Sequence, residues 1–132
     1  MQRTIDWMKQ AQMDLDEARI DIELGLYEWA YLTAKQSAEE AIKAVFQKLG
    51  KDVRGHSILK MLEEIAENLN VPDEIFECAR LLDRYYIEPR YPNSFPNESS
   101  YEFFDSKIEI ANQAYDSAEK IVGWARSFIG EL

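Results

Sequence analysis

The sequence predicts an all-α protein, an up-and-down bundle of about five helices. Three observations predict it. Apolar residues recur at three- and four-residue spacing along most of the chain. No segment alternates apolar and polar residues in the strand manner, and no Asn-Gly or Asp-Gly hairpin signal occurs. Connections between the periodic segments are short, except over residues 87–99.

The first helix is expected from about Thr4 to Leu24. Thr4 is its candidate N-cap, and Ile5, Met8, Ala11, Leu15, Ala18 and Ile22 form the repeat. Gly25 fits the left-handed stop. The second is expected from about Tyr27 to Leu49, with Gly50 as its stop. Its inner stripe is Ala30, Ala34, Ala38, Ala41, Val45 and Leu49. Small side chains let other helices approach closely, so this helix is expected to be the most buried. The third runs from about Ser57 to Leu69 on Ile58, Leu62, Ile65 and Leu69. The fourth runs from about Asp73, after Pro72, to Tyr86, with Ile75, Ala79, Leu82 and Tyr86 on one face. Ser99-Ser100-Tyr101-Glu102 reads as a capping box for the fifth, which continues to about Ile129 through Phe104, Ile108, Ala111, Tyr115, Ala118, Val122 and Ala125.

Between the fourth and fifth helices stands Tyr85-Tyr86-Ile87-Glu88-Pro89-Arg90-Tyr91-Pro92-Asn93-Ser94-Phe95-Pro96. Its three prolines cannot sit inside a helix, since each lacks an N–H and clashes with the preceding turn. The segment therefore reads as a stiff aromatic loop presenting one arginine, Arg90. Its planar guanidinium suits a phosphate or a carboxylate. An intramolecular acid is the equal alternative, and Glu88, Asp83, Glu39 and Glu40 are available.

With 132 residues, 46% hydrophobic and 30% charged, residues 1–132 are expected to form a single folded domain. No apolar run approaches the roughly 18 residues of a membrane span, and Met1 to Lys9 lacks a cationic-then-apolar signal pattern. A cytoplasmic location is the expectation. The one cysteine, Cys78, has no partner for an internal disulfide and falls in an apolar pattern, where a buried thiol is favoured. The acidic face Asp14, Glu17, Asp21 is read as solvated surface rather than a metal site. Glu-x-x-His, paired cysteines, a Gly-rich phosphate loop and a Gly-x-Ser-x-Gly elbow are all absent from the sequence. Neither a metal nor another cofactor is expected.

A net charge of −10 argues against a general nucleic-acid coat. The charge is uneven: residues 41–60 carry Lys43, Lys48, Lys51, Arg54 and Lys60 against Asp52 alone. A basic island in an acidic protein suits a phosphate, although cations flanking Gly50 also suit a helix C-terminus. The one histidine, His56, opens the third helix. It reads either as a capping or packing residue or as a phosphate contact near free helix N–H groups. Trp7, Trp29, Tyr31 and Trp124 are expected as exposed aromatics that drive dimerisation.

Five segments in order carry a resemblance. They are Ala11-Gln12-Met13-Asp14-Leu15-Asp16-Glu17-Ala18, Tyr27-Glu28-Trp29-Ala30, Gln36-Ser37-Ala38-Glu39-Glu40-Ala41-Ile42-Lys43-Ala44, Gly55-His56-Ser57-Ile58-Leu59, and Leu82 to Pro92. Together, over about residues 5–125, they resemble the HEPN family (higher eukaryotes and prokaryotes nucleotide-binding domain). Ser37 and Glu40 fit its pattern loosely. The resemblance implies a helical bundle that dimerises, with functional residues at a cleft between protomers. It also implies a place beside a minimal nucleotidyltransferase in a toxin–antitoxin-like pair. Many relatives are metal-independent ribonucleases carrying an arginine followed, four to six residues later, by a histidine. Arg90 matches the arginine, but Tyr91-Pro92-Asn93-Ser94-Phe95-Pro96-Asn97 follows it and no histidine stands anywhere after it. The resemblance thus implies a nucleotide- or RNA-phosphate-binding protein with Arg90, Tyr91, Lys43 and His56 as candidate contacts. Two alternatives stand beside it: a ribonuclease using His56 with Arg90, and a non-catalytic interaction module.

Overall fold

The computed structural model describes the backbone of residues 2–52, 55, 57–84 and 100–130, and their side chains except at 2 and 100–106. Among these residues lie five helices and no strand: α1 (Gln2–Glu23), α2 (Tyr27–Lys48), α3 (Ile58–Ile65), α4 (Asp73–Asp83) and α5 (Ser100–Ile129). His56, Arg90 and Tyr91 lie outside the described residues, as do Arg54 and the serine at 99 of the expected capping box.

Two turns of identical construction bracket α2. After α1, Gly25 adopts φ 78°, its N–H meets the Ile22 carbonyl, and the Leu26 N–H meets the Asp21 carbonyl at 2.8 Å. After α2, Gly50 adopts φ 75°, its N–H meets the Gln47 carbonyl, and the Lys51 N–H meets the Phe46 carbonyl at 2.9 Å. Each glycine takes the left-handed conformation that satisfies the last carbonyls of a helix, as the sequence predicts.

α2 packs against α1, α5 and α3, while α4 rests on α5 and α3. The alanine stripe explains this centrality. Ala34, Ala38 and Ala41 are fully buried and share one core cluster with alanines of both neighbouring helices, Ala11 and Ala18 of α1 and Ala114, Ala118 and Ala125 of α5. Bulk enters at one end, where Ile42, Val45 and Phe46 of α2 join Ile58, Leu62 and Ile65 of α3. Phe46 is 1% exposed. Truncating such a side chain costs about 3–5 kcal/mol through lost transfer energy and the cavity left behind.

Several local expectations are corrected. α1 begins at Gln2, so Thr4 is an interior residue and not the N-cap. Thr4 is buried and its hydroxyl has no partner. α3 is shorter than its apolar repeat, because residues 66–68 turn away and leave Leu69 to pack from outside the helix. α4 opens at Asp73 after Pro72, as expected, but it ends at Asp83, short of Tyr86, which lies outside the described residues. Tyr31 is not an exposed aromatic: it is 1% exposed, and its hydroxyl donates to the Leu82 carbonyl at the end of α4. Trp7 and Trp124 are half-buried against the core, so of the four predicted aromatics only Trp29 is exposed.

Candidate functional site

The α1–α2 interface is apolar at its centre and polar along one edge. Four links form that edge. Lys43 Nζ stands 5.3 Å from the centre of the Trp7 ring. The Ser37 hydroxyl donates to the Ala11 carbonyl at 2.6 Å. The carboxyls of Asp14 and Glu40 meet. The Thr33 hydroxyl donates to Asp21 at 3.4 Å. Lys43–Trp7 and Thr33–Asp21 mark opposite ends of the edge, the late part of α2 lying on the early part of α1 and the reverse, as antiparallel helices joined by a short turn require.

The Asp14–Glu40 contact has unusual chemistry. Glu40 is buried, and neither its Oε1 nor Oδ2 of Asp14 finds a hydrogen-bond donor. Two carboxylates in that position cannot both ionise, because desolvation and mutual repulsion each disfavour the second charge. One proton held between them satisfies both oxygens. Burial chiefly, then the hydrogen bond and charge of Asp14, push the Glu40 carboxyl up to about 9, with Lys43 opposing. Asp14 keeps its other oxygen toward solvent, where Gln10 Nε2 donates to it at 3.3 Å. A second acid pair sits two turns along: burial and Glu17 raise Asp21 to about 6, against the Thr33 hydrogen bond. Asp14 and Asp21 are therefore seam residues and not the solvated face expected of them. Glu17 alone of the three is exposed.

Beside this seam a groove of about 510 Å³ opens on α2. Trp7 and Leu32 form its apolar walls, and Lys35, Gln36, Glu39, Glu40 and Lys43 line it along one stripe of α2. Lys43, predicted as a phosphate contact, therefore faces a real concavity, with an aromatic ring beside it. Lys48, Lys51 and Lys60, the other described members of the basic island, do not line the groove.

At the far end of the groove, Lys35 Nζ lies 3.6 Å from Asp83 Oδ1. Asp83 also caps α3: it accepts the Ile58 N–H at 3.2 Å, the Leu59 N–H at 2.9 Å and the Ser57 hydroxyl at 3.2 Å. Ser57 in turn accepts the Lys60 N–H at 3.2 Å. A carboxylate at a helix N-terminus satisfies otherwise unpaired N–H groups and complements the helix dipole. In the sequence Ser57 follows His56 and Asp83 precedes the segment that carries Arg90; the two candidates themselves lie outside the described residues. Periodicity alone points to neither Asp14–Glu40 nor Asp83. The available signal is spacing: Ala11 and Asp14 on one helix, Ser37 and Glu40 on the next, each pair three apart.

On the outward side of α1, Met13, Ile20 and Leu24 form an exposed apolar stripe, at 63%, 47% and 67% exposure, continued by Leu26 and Trp29. No described helix is long and apolar enough to cross a membrane. Among the described residues no cluster of His, Cys, Asp and Glu could hold a metal ion.

Five helices with a polar seam and an aromatic–cationic groove define an all-α bundle domain. The family model of the HEPN domain matches residues 4–128. The chain belongs to the HEPN family. It is similar to the crystal structure of TT1696 from Thermus thermophilus, at 37% identity and TM-score 0.81 over 95% of this chain and 97% of that one. It is similar also to ST0689, an archaeal HEPN homologue, at 36% identity and TM-score 0.77 over 98% and 100% of the two chains. Among curated proteins it is 21% identical to Putative toxin MJ1304 of Methanocaldococcus jannaschii, over 95% of this chain and 87% of that protein.

Proposed function

We propose that this protein binds a nucleotide or an RNA phosphate, and that it is the HEPN half of a toxin–antitoxin-like pair with a minimal nucleotidyltransferase. The observation that carries the binding reading is Lys43 over the Trp7 ring on the wall of a groove. A base finds a stacking face there and a phosphate finds a cation. The family resemblance adds Arg90, Tyr91 and His56 as further phosphate contacts. Similarity to Putative toxin MJ1304 supports the toxin–antitoxin setting. The apolar stripe Met13, Ile20, Leu24 supports a homodimer. A cytoplasmic location belongs to the same reading.

Titration with adenosine monophosphate and with a short RNA, followed by tryptophan fluorescence and calorimetry, tests the binding reading. Lys43→Ala and Arg90→Ala are each expected to weaken binding. Equal affinity in wild type and Lys43→Ala removes the groove from the site. For the pair, expression of the chain is expected to arrest growth, and co-expression of the nucleotidyltransferase to relieve it.

A ribonuclease reading has one observation in its favour: the Ser57–Asp83 hydrogen bond joins the segments that lead to His56 and Arg90. Incubation with labelled RNA in chelator tests it, and cleavage that survives His56→Ala sinks the histidine as general base.

A further inference from the structure

We propose that the proton shared by Asp14 and Glu40 controls whether the α2 groove accepts an anion: the groove takes a phosphate-bearing ligand while Glu40 is neutral and rejects it once Glu40 ionises. The proposal rests on the phosphate-binding reading of the same groove and adds its regulation.

The geometry carries it. Glu40 lines the groove one turn of α2 before Lys43, and it is 6% exposed. With a proton between Glu40 and Asp14, the pair bears one charge, and Asp14 directs its solvent-side oxygen to Gln10 rather than into the groove. Lys43 then faces the groove with a neutral acid as its neighbour. Without that proton a second buried negative charge appears on the groove wall, beside the cation a phosphate needs. Poor screening in a half-closed site makes that charge strongly repulsive to an incoming anion.

The other charges around Glu40 do not reverse this. On α1 the facing group is Asp14, which is acidic. On α2, Glu39 adds negative charge and Lys43 opposes it. At the far end, Lys35 is held by Asp83 of α4. The charges around Glu40 nearly cancel, so a single proton shifts the balance of the groove toward or away from an anion. The burial that lifts the Glu40 carboxyl to about 9 keeps the proton in place at neutral pH. By linkage, anion binding takes up a proton wherever Glu40 is partly ionised.

The experiment is calorimetric titration of the full chain with adenosine monophosphate, at constant ionic strength, from about pH 7 to about pH 10. Wild type is expected to lose about tenfold in affinity across that range and, at its upper end, to take up protons on binding, read from buffers of different ionisation enthalpy. Glu40→Gln, a permanently neutral isostere, is expected to hold its affinity throughout. Asp14→Asn removes the neighbouring charge, so its loss of affinity is expected at lower pH than in wild type. Binding that needs Lys43 yet shows the same pH profile in wild type and Glu40→Gln overturns the proton link alone. Binding indifferent to Lys43→Ala, or none at either pH, overturns the groove reading together with it. Should Glu40→Gln fail to fold, the Asp14→Asn profile decides: one coincident with wild type counts against the proposal.

Discussion

Asp83, at the end of α4, accepts the main-chain N–H of Leu59 at 2.9 Å, so the first turn of α3 is capped by a residue 24 positions away. With the Ile58 N–H, the Ser57 hydroxyl and Lys35 on the same carboxylate, Asp83 ties α2, α3 and α4 together.

Asp83→Ala is expected to destabilise the fold by about 2–4 kcal/mol, since several N–H and hydroxyl donors lose their acceptor and Lys35 its counter-charge. Asp83→Asn keeps one acceptor oxygen and is expected to cost less. Urea unfolding measures both, and equal stability of wild type and Asp83→Ala counts against the cap.

The acid seam makes stability depend on pH. Glu40 and Asp21 both hold their protons more tightly in the folded chain than in the unfolded one. Their contribution is therefore fully present below the ordinary carboxylate values and lost as pH rises, through about 6 for Asp21 and about 9 for Glu40. Thermal melts are expected to fall between pH 7 and pH 10 in wild type and to stay level in Glu40→Gln. Parallel curves would remove the shared proton.

Thr4 offers a test of the opposite sign. Its buried hydroxyl has no partner, so Thr4→Val exchanges a desolvated polar group for a methyl of the same shape. The change is expected to be neutral or to stabilise by about 1 kcal/mol. A loss of that size in the same melts would reveal a hydrogen bond.

Cys78 is buried on α4, and burial pushes its thiol above the usual range despite a hydrogen bond with Ser117 of α5. Thiol reagents act on the thiolate. Labelling is expected to be slow in the folded protein and complete on unfolding; rapid native labelling would contradict this packing.

Much of this architecture is legible in the chain because its determinants are local. Gly25 and Gly50 announce their turns, and the alanines of α2 announce its burial. What is not legible depends on docking. Thr4 reads as a cap until Gln2 and Arg3 extend the helix above it. Asp14 lies next to an apolar stripe, and only the approach of Glu40 from another helix turns it from surface acid into half of a proton-sharing pair. Of the candidate site, charge clustering points to Lys43. Trp7, its ring partner, reads from sequence as a dimer contact, because periodicity does not say which helix an edge residue meets.

The polar seam has a kinetic consequence. All four of its links join α1 to α2 across a three-residue turn, so once both helices have formed a single short turn brings them together, whereas Asp83 completes its set of partners only when Lys35 of α2 docks on α4 as well. The α1–α2 hairpin is the natural nucleus. Ser37→Ala is then expected to slow refolding, and Asp83→Asn to speed unfolding instead, a division that stopped-flow chevrons can read directly.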